Sequence, residues 1–192
     1  MNIFLETERL ILRQFTSADV ENLVLLDSDR QVMRFINGGT PTPTEVIQNQ
    51  LLPKILSYYA KYPHFGFWAV DEKMSQEFIG WFHFYPAIEN QFAVELNLVT
   101  PGEIALGYRL RQGAWGKGYG TEGSKALIHK GFTELQVQRV VVWALAENLA
   151  SIRVMQKVGL QFERAFSFTE QQLPNVSQRQ AVKYGVMSPI YC

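Results

Sequence analysis

The sequence predicts an α+β fold, with a mixed and mostly antiparallel sheet flanked by helices. Three observations predict it. Strand-like and helix-like segments follow in the order β-α-α-β-β-β-α-β-α-β-β, which is not a regular βα alternation. Short turns join the strands of the first half, as antiparallel neighbours require. At 192 residues, with 47% hydrophobic and 13% aromatic content, the chain can bury a sizeable core and is too apolar to be disordered. The simplest organisation is one domain over residues 1–192.

Arg9–Gln14 reads as the first strand. Thr16-Ser-Ala-Asp19 places an acid three residues after a capping hydroxyl, so a helix should run from there to about Asp29, carrying Val20, Leu23 and Val24. Asn37–Pro41 is a loop. Thr42-Pro-Thr-Glu45 has the form of a capping box with proline at the first helical position. A helix with Val46, Ile47, Leu51, Ile55 and Tyr58 should follow, bent at Pro53. Phe65–Val70 and Phe78–Tyr85 read as strands around the polar turn 71–76. A short strand is expected at Val94–Val99 and a clear one at Ile104–Leu110. A helix over Thr121–Leu135 puts Ile128, Gly131, Phe132 and Leu135 on one face. Arg139–Ala144 is a β-branched strand. Asn148 can cap a helix carrying Ile152, Met155 and Val158, with Gly159 at its C-terminal end. Leu160–Phe168 and Ala181–Ser188 are closing strands around a polar loop at 169–180.

Composition excludes several function classes. Lysine plus arginine (18) balances aspartate plus glutamate (18), so no basic excess points to a nucleic-acid partner. No apolar run is long enough to span a membrane. Acids within Met1–Arg9 argue against a secretory leader. A cytoplasmic protein, monomeric or homodimeric, is the plain expectation. The single cysteine, Cys192, rules out a disulfide framework and, as a terminal residue without an evident histidine partner, makes a poor nucleophile. His64 and His83 lack a ligand pattern, so no metal is expected.

The most informative stretch is Gly113–Glu122, G-A-W-G-K-G-Y-G-T-E, between the Ile104 strand and the Thr121 helix. Glycines 116, 118 and 120 allow close backbone approach, and the helix start offers free N–H groups at its positive end. Together these make a pyrophosphate cradle. A P-loop would need glycine at 111 and Ser or Thr at 118, but the chain has Arg111 and Gly118. Gly118-x-Gly120-x-x-Gly123 does match the dinucleotide fingerprint, with Glu147 ending the next strand. That fold needs several parallel βα units, and only about one more βα pair follows Glu147. An NAD(P)-binding protein is therefore the weaker alternative.

Trp115-Gly-Lys-Gly-Tyr-Gly120 instead resembles the acetyl-CoA motif Q/R-x-x-G-x-G/A of the GNAT superfamily of N-acetyltransferases, with Trp115 at the usual Gln or Arg position. The W-G-K-G-Y run followed by T-E is similar to the ribosomal-protein N-terminal acetyltransferase branch. So are Glu6-Thr-Glu-Arg-Leu-Ile-Leu-Arg13, Leu106-Gly-Tyr108 and Asn148-x-x-Ser151…Lys157-Val-Gly159-Leu160. The resemblance runs from about Glu6 to Glu163.

It implies a GNAT-type sheet splayed at an acetyl-CoA site and direct acetyl transfer to a primary amine, a protein N-terminus or a small molecule. The loop amides of Trp115, Gly116, Lys117, Gly118, Tyr119, Gly120 and Thr121 would hold pyrophosphate. Tyr108, Arg109 and Leu110 would pair with pantetheine where that strand parts from Arg139–Ala144. Asn148 would assist, and Ser151 would serve the leaving thiolate. The branch often has Glu at the position of Ala105, so Glu103, one pleat earlier on the same face, is the candidate base. Glu95 and direct binding of a neutral amine are the alternatives. A silent acyl-CoA-binding protein on the same fold is the other function to separate. The 30–60 helical region, the 86–103 loop and the 169–180 loop should wall the acceptor.

Overall fold

The computed structural model describes residues 2–189, so Cys192 lies outside them. A hairpin joins β1 (Ile3–Glu6) to β2 (Leu10–Gln14), and β1 is a strand that the sequence reading did not separate from its partner. Thr16 and Asp19 form the expected capping box, which starts α1 (Val20–Ser28) through a short turn. Arg13 locks that turn to the sheet, bonding Asp19 and Asp71 with both partners buried.

A second helix, α2 (Arg30–Asn37), follows where no helix was predicted. Asp29 caps its first amides and Gly38, at φ +79°, ends it. The predicted box at Thr42–Glu45 does not form, because α3 (Thr44–Val46) starts without a side-chain cap. Thr42 is turned instead toward Asp27, with its amide on the Asp27 carbonyl at 3.1 Å. A π-helical turn over 47–51 then leads into α4 (Leu52–Lys61), where Pro53 sits in the first turn. The backbone stays helical from Thr44 through the π turn into α4, so Pro53 lies within one continuous helical run, just after the π turn.

β3 (Gly66–Glu72) and β4 (Phe78–Pro86) form the predicted hairpin. The strand expected at Val94–Val99 is absent. Asn90 caps a short helix there, α5 (Gln91–Glu95). β5 (Glu103–Leu110), α6 (Tyr119–Thr133), β6 (Arg139–Leu145), α7 (Leu149–Lys157), β7 (Gln161–Ser167) and β8 (Gln180–Met187) follow as expected to within two or three residues. The sheet order is β1-β2-β3-β4-β5-β6-β8-β7, and β5 with β6 is its parallel pair. One parallel pair excludes the doubly wound alternative.

Each face of the sheet has its own core. Leu23, Leu26, Ile47, Ile55 and Trp81 pack beneath α1–α4. Phe82, Phe84, Leu106, Leu127 and Met155 pack beneath α6 and α7. Glycine lets α6 lie close to the strands: a Cβ at Gly123 would stand 2.4 Å from the Phe82 ring, and one at Gly131 2.7 Å from that of Phe84. Gly123, the last glycine of the fingerprint, is thus a packing residue. Among the described residues, no helix is long and apolar enough to cross a membrane.

Candidate active site

β5 and β6 are in register only at Glu103–Arg139, Ile104–Val140 and Ala105–Val141. Beyond Ala105 the strands part, and Leu106–Leu110 faces a gap. β4 still pairs with β5 along that whole stretch, so the free edge is held rigidly. The glycine loop closes the wide end of the gap. Gly116 and Gly118 have φ of +73° and +86°, which a side-chain-bearing residue rarely adopts. A Cβ on Gly116 would meet nothing within 4 Å. The first amide of α6 with a backbone partner at its N-terminus is that of Glu122, on the Gly118 carbonyl at 3.0 Å. The amides of 116–121 thus remain available at the positive end of a long helix. The Trp115 indole donates to the Leu110 carbonyl at 2.8 Å and ties the loop to the strand.

A brace that sequence reasoning missed holds the loop from outside. Glu122 accepts from the Thr7 hydroxyl (2.6 Å), the Arg9 amide (3.0 Å) and the Arg9 guanidinium (2.7 Å). Arg9 also donates to the Lys117 carbonyl and lies over the Tyr119 ring. Burial acts to raise the Glu122 pKa, but the bonds from Thr7 and Arg9 outweigh it and hold the carboxyl below its ordinary value. The sequence signal for this brace was the Thr-Glu pair after the glycines.

Two cavities meet in the gap, each of about 370 Å³. The first runs along the loop and includes Leu110, Trp115, Gly116, Gly118, Tyr119, Gly120 and Thr121, with Arg153 and Lys157 from α7. The second runs between the strands. Tyr108, Arg109, Asn148 and Ser151 belong to both walls. Asn148 accepts from the Ser151 amide at 3.1 Å and so caps α7. Tyr108 is pushed up to about 12 by burial, against a hydrogen bond from Ser151, and keeps its proton at neutral pH. Lys117 is exposed and lines neither cavity.

Residues 9–161 match the family described as an acetyltransferase (GNAT) domain. The chain belongs to the GNAT acetyltransferase family. Among its relatives, the FsC-acetyl coenzyme A-N(2)-transacetylase of Aspergillus fumigatus is 28% identical over 185 residues, covering 95% of this chain and 75% of that protein. A GNAT-family acetyltransferase of Bacillus anthracis superposes with a TM-score of 0.75 at 23% identity, covering 98% and 99% of the two chains. RimL, a ribosomal L7/L12 α-N-protein acetyltransferase solved with coenzyme A, gives 0.77 at 16% identity, covering 97% and 98%. These last two likenesses bear on the fold.

As a GNAT acetyltransferase, the chain is an acetyl-CoA-dependent acyltransferase, and its residues fit that ligand. The glycine cradle has room where a Cβ would stand, its amides are free, and α7 supplies cations along the same wall. The acetyltransferase does not bring Glu103 to this gap. Glu103 sits at the paired end of the strands, buried, accepting from Arg139 (2.8 Å) and the Thr100 amide (3.0 Å), with Lys183 at 3.5 Å. It clasps β5 to β6 and lines neither cavity. Glu95 is exposed on α5 and lines neither. Ala105 is fully buried against Tyr58 and Tyr85, which leaves no room for a carboxylate there.

Sequence reasoning placed Arg109 on the strand edge but missed its buried partner, and it missed His83 as a lining residue of the second cavity. Arg109, besides its strand position, pairs with buried Asp27 of α1 and lies over the Trp81 ring. His83 lines the second cavity across from Gly107. Burial, and then the Arg109 charge, push the His83 pKa down to about 3, so its imidazole is neutral. The 30–60 region, the 86–103 loop and the 169–180 loop each reach this cavity, through Phe35, Phe92 and Gln172.

Proposed function

We propose that this protein transfers an acetyl group directly from acetyl-CoA to a primary amine, within one ternary complex. The observation that carries the reading is the shared wall: Tyr108, Arg109, Asn148 and Ser151 stand where the loop cavity meets the inter-strand cavity. Two substrates entering from opposite ends would meet there. When bound, acetyl-CoA supplies the acetyl group as an activated thioester.

The chain's own residues do the rest. The amides of 116–121, from Gly116 to Thr121, hold pyrophosphate at the start of α6. The free edge of Tyr108, Arg109 and Leu110 pairs with the pantetheine amides and aligns the thioester. Asn148, fixed by its cap, presents its side chain to the same arm. Tyr108 and Ser151 hold hydroxyl protons at the junction, where a leaving thiolate needs one. Glu103 keeps the strands clasped and takes no proton. Trp115 and Lys117 shape and screen the outer loop.

Calorimetric titration and initial-rate kinetics test the proposal. Acetyl-CoA should bind and NAD should not. Double-reciprocal plots against an amine should intersect, and parallel lines would overturn direct transfer. Ser151→Ala should lower kcat more than it raises the acetyl-CoA KM. Binding of acetyl-CoA without turnover of any amine would leave only a silent acyl-CoA-binding protein.

A further inference from the structure

The inter-strand cavity passes through the sheet. Leu106 and Tyr108 face α6 and α7, whereas Gly107 and Arg109 alternate to the opposite face, toward α1 and α4. On that opposite face the cavity forms a chamber walled by Phe35, Trp81, His83, Phe92, Trp143 and Phe168. These six rings come from α2, β4, α5, β6 and the segment after β7.

The chamber's polar inventory is one-sided. No aspartate or glutamate is among its lining residues. Of the nearby carboxylates, Asp27 is held by Arg109, Glu89 by Lys61 and Tyr62, and Glu103 by Arg139 and Lys183, while Glu95 of α5 is exposed and lines neither cavity. The one charged wall residue is Arg109, and its charge is balanced by Asp27. Two wall residues carry buried N–H groups without partners, Trp81 Nε1 and Arg109 Nε. Both are donors, as an ammonium is. No carboxylate of the lining compensates the desolvation of a cation, and the Trp81 ring face is already taken by the Arg109 guanidinium. Burial, the larger of the effects that keep the His83 imidazole neutral, acts in the same direction on an amine placed beside it.

The chamber also offers little to a peptide backbone. Asn90 is occupied capping α5 and donating to the Tyr85 hydroxyl, and Gln172 accepts from the Thr169 amide.

We infer that the acceptor is a small arylalkyl monoamine, whose ring fills the aromatic chamber and whose nitrogen enters uncharged at the junction. The inference rests on the transfer reading and adds its substrate class. An amine that binds as the free base needs no carboxylate to deprotonate it, which accounts for a site whose nearest acidic candidates are all turned away. The step balances: the nitrogen lone pair forms the N–C bond, the C–S bond breaks, a hydroxyl of the Tyr108–Ser151 pair protonates the sulfur, and the proton lost from nitrogen passes through water to restore that hydroxyl.

Coenzyme A release should be followed at saturating acetyl-CoA with phenethylamine, tryptamine, spermidine, kanamycin and a hexapeptide beginning with serine. One of the two arylalkyl amines should exceed each of the other three by at least tenfold in kcat/KM. A smaller margin, or a lead for the polycations or the peptide, overturns the inference while leaving acetyl transfer standing. No turnover of any amine by protein that binds acetyl-CoA removes the transfer reading itself. Asn90→Asp keeps the α5 cap and adds a carboxylate to the wall. It should shift the spermidine-to-phenethylamine ratio toward spermidine by tenfold or more, and an unchanged ratio counts against the chamber as the acceptor site.

Discussion

A single neutral imidazole reports the character of the inter-strand cavity. In the unfolded chain His83 takes up a proton near pH 6.5, and in the folded chain only near 3. Between those values the unfolded state binds more protons, so stability falls as the pH falls, by about 1.4 kcal/mol per pH unit. The carboxylates with lowered pKa, Asp19 and Glu122 among them, add their losses in the lower part of this range, as the pH falls through their ordinary values of 3.8 and 4.5. Urea denaturation should therefore show about 2 kcal/mol less stability at pH 5 than at pH 6.5 in the wild type. His83→Gln should flatten that slope, and an equal slope in the variant would place the proton uptake elsewhere. At this scale the sequence was legible wherever the chemistry is local. Asn148 and Ser151 sit three apart on one helix start, and the glycines of 116–120 share one turn. Arg109 and Asp27 are 82 residues apart, and no spacing rule joins them. Glu103 misled for a related reason. Strand alternation gave its face correctly, but its partners Arg139 and Lys183 come from two other strands.

The glycine loop is an element held from behind. Arg9 and Thr7, in the first hairpin, fix Glu122 in the first turn of α6, and Arg9 alone reaches the Lys117 carbonyl. Removing the carboxylate frees the loop without touching the junction residues. Glu122→Ala should raise the acetyl-CoA KM roughly tenfold, the scale of one charge-assisted hydrogen bond, with kcat within about twofold. Steady-state kinetics checks this, and a fall in kcat at unchanged KM would show that the brace serves chemistry rather than binding. Long periodic elements such as α6 and β6 were readable from their patterns. The missed ones are short. α2 begins at Asp29 inside what read as the end of one helix, and α5 has five residues that alternate like a strand until Asn90 caps them. The Thr42 box failed because its hydroxyl had a tertiary competitor in Asp27.

At the scale of the whole molecule, three register pairs and a charged clasp join the sheet half β1–β5 to the half β6–β8–β7. A ligand lying across the gap contacts both halves and should stabilise the whole fold. Acetyl-CoA at 100 times its Kd adds about 2.7 kcal/mol, which at this chain length is about 5–10 °C in Tm. Thermal melts should show that shift with acetyl-CoA and none with NAD, and a melt indifferent to acetyl-CoA would count against a ligand bridging the halves. The sheet's mixed direction was legible from turn lengths, but its order was not, because β8 inserts between β6 and β7. The parting of the strands also divides the labour of inheritance. The amides proposed to hold pyrophosphate lie in the loop after β5 and the first turn of α6, whereas Trp143 and Phe168 belong to the far half. Under the proposed reading, drift at those two rings can recut the inter-strand cavity while the loop amides stay as they were, so lineages sharing this loop are free to diverge in what they acetylate.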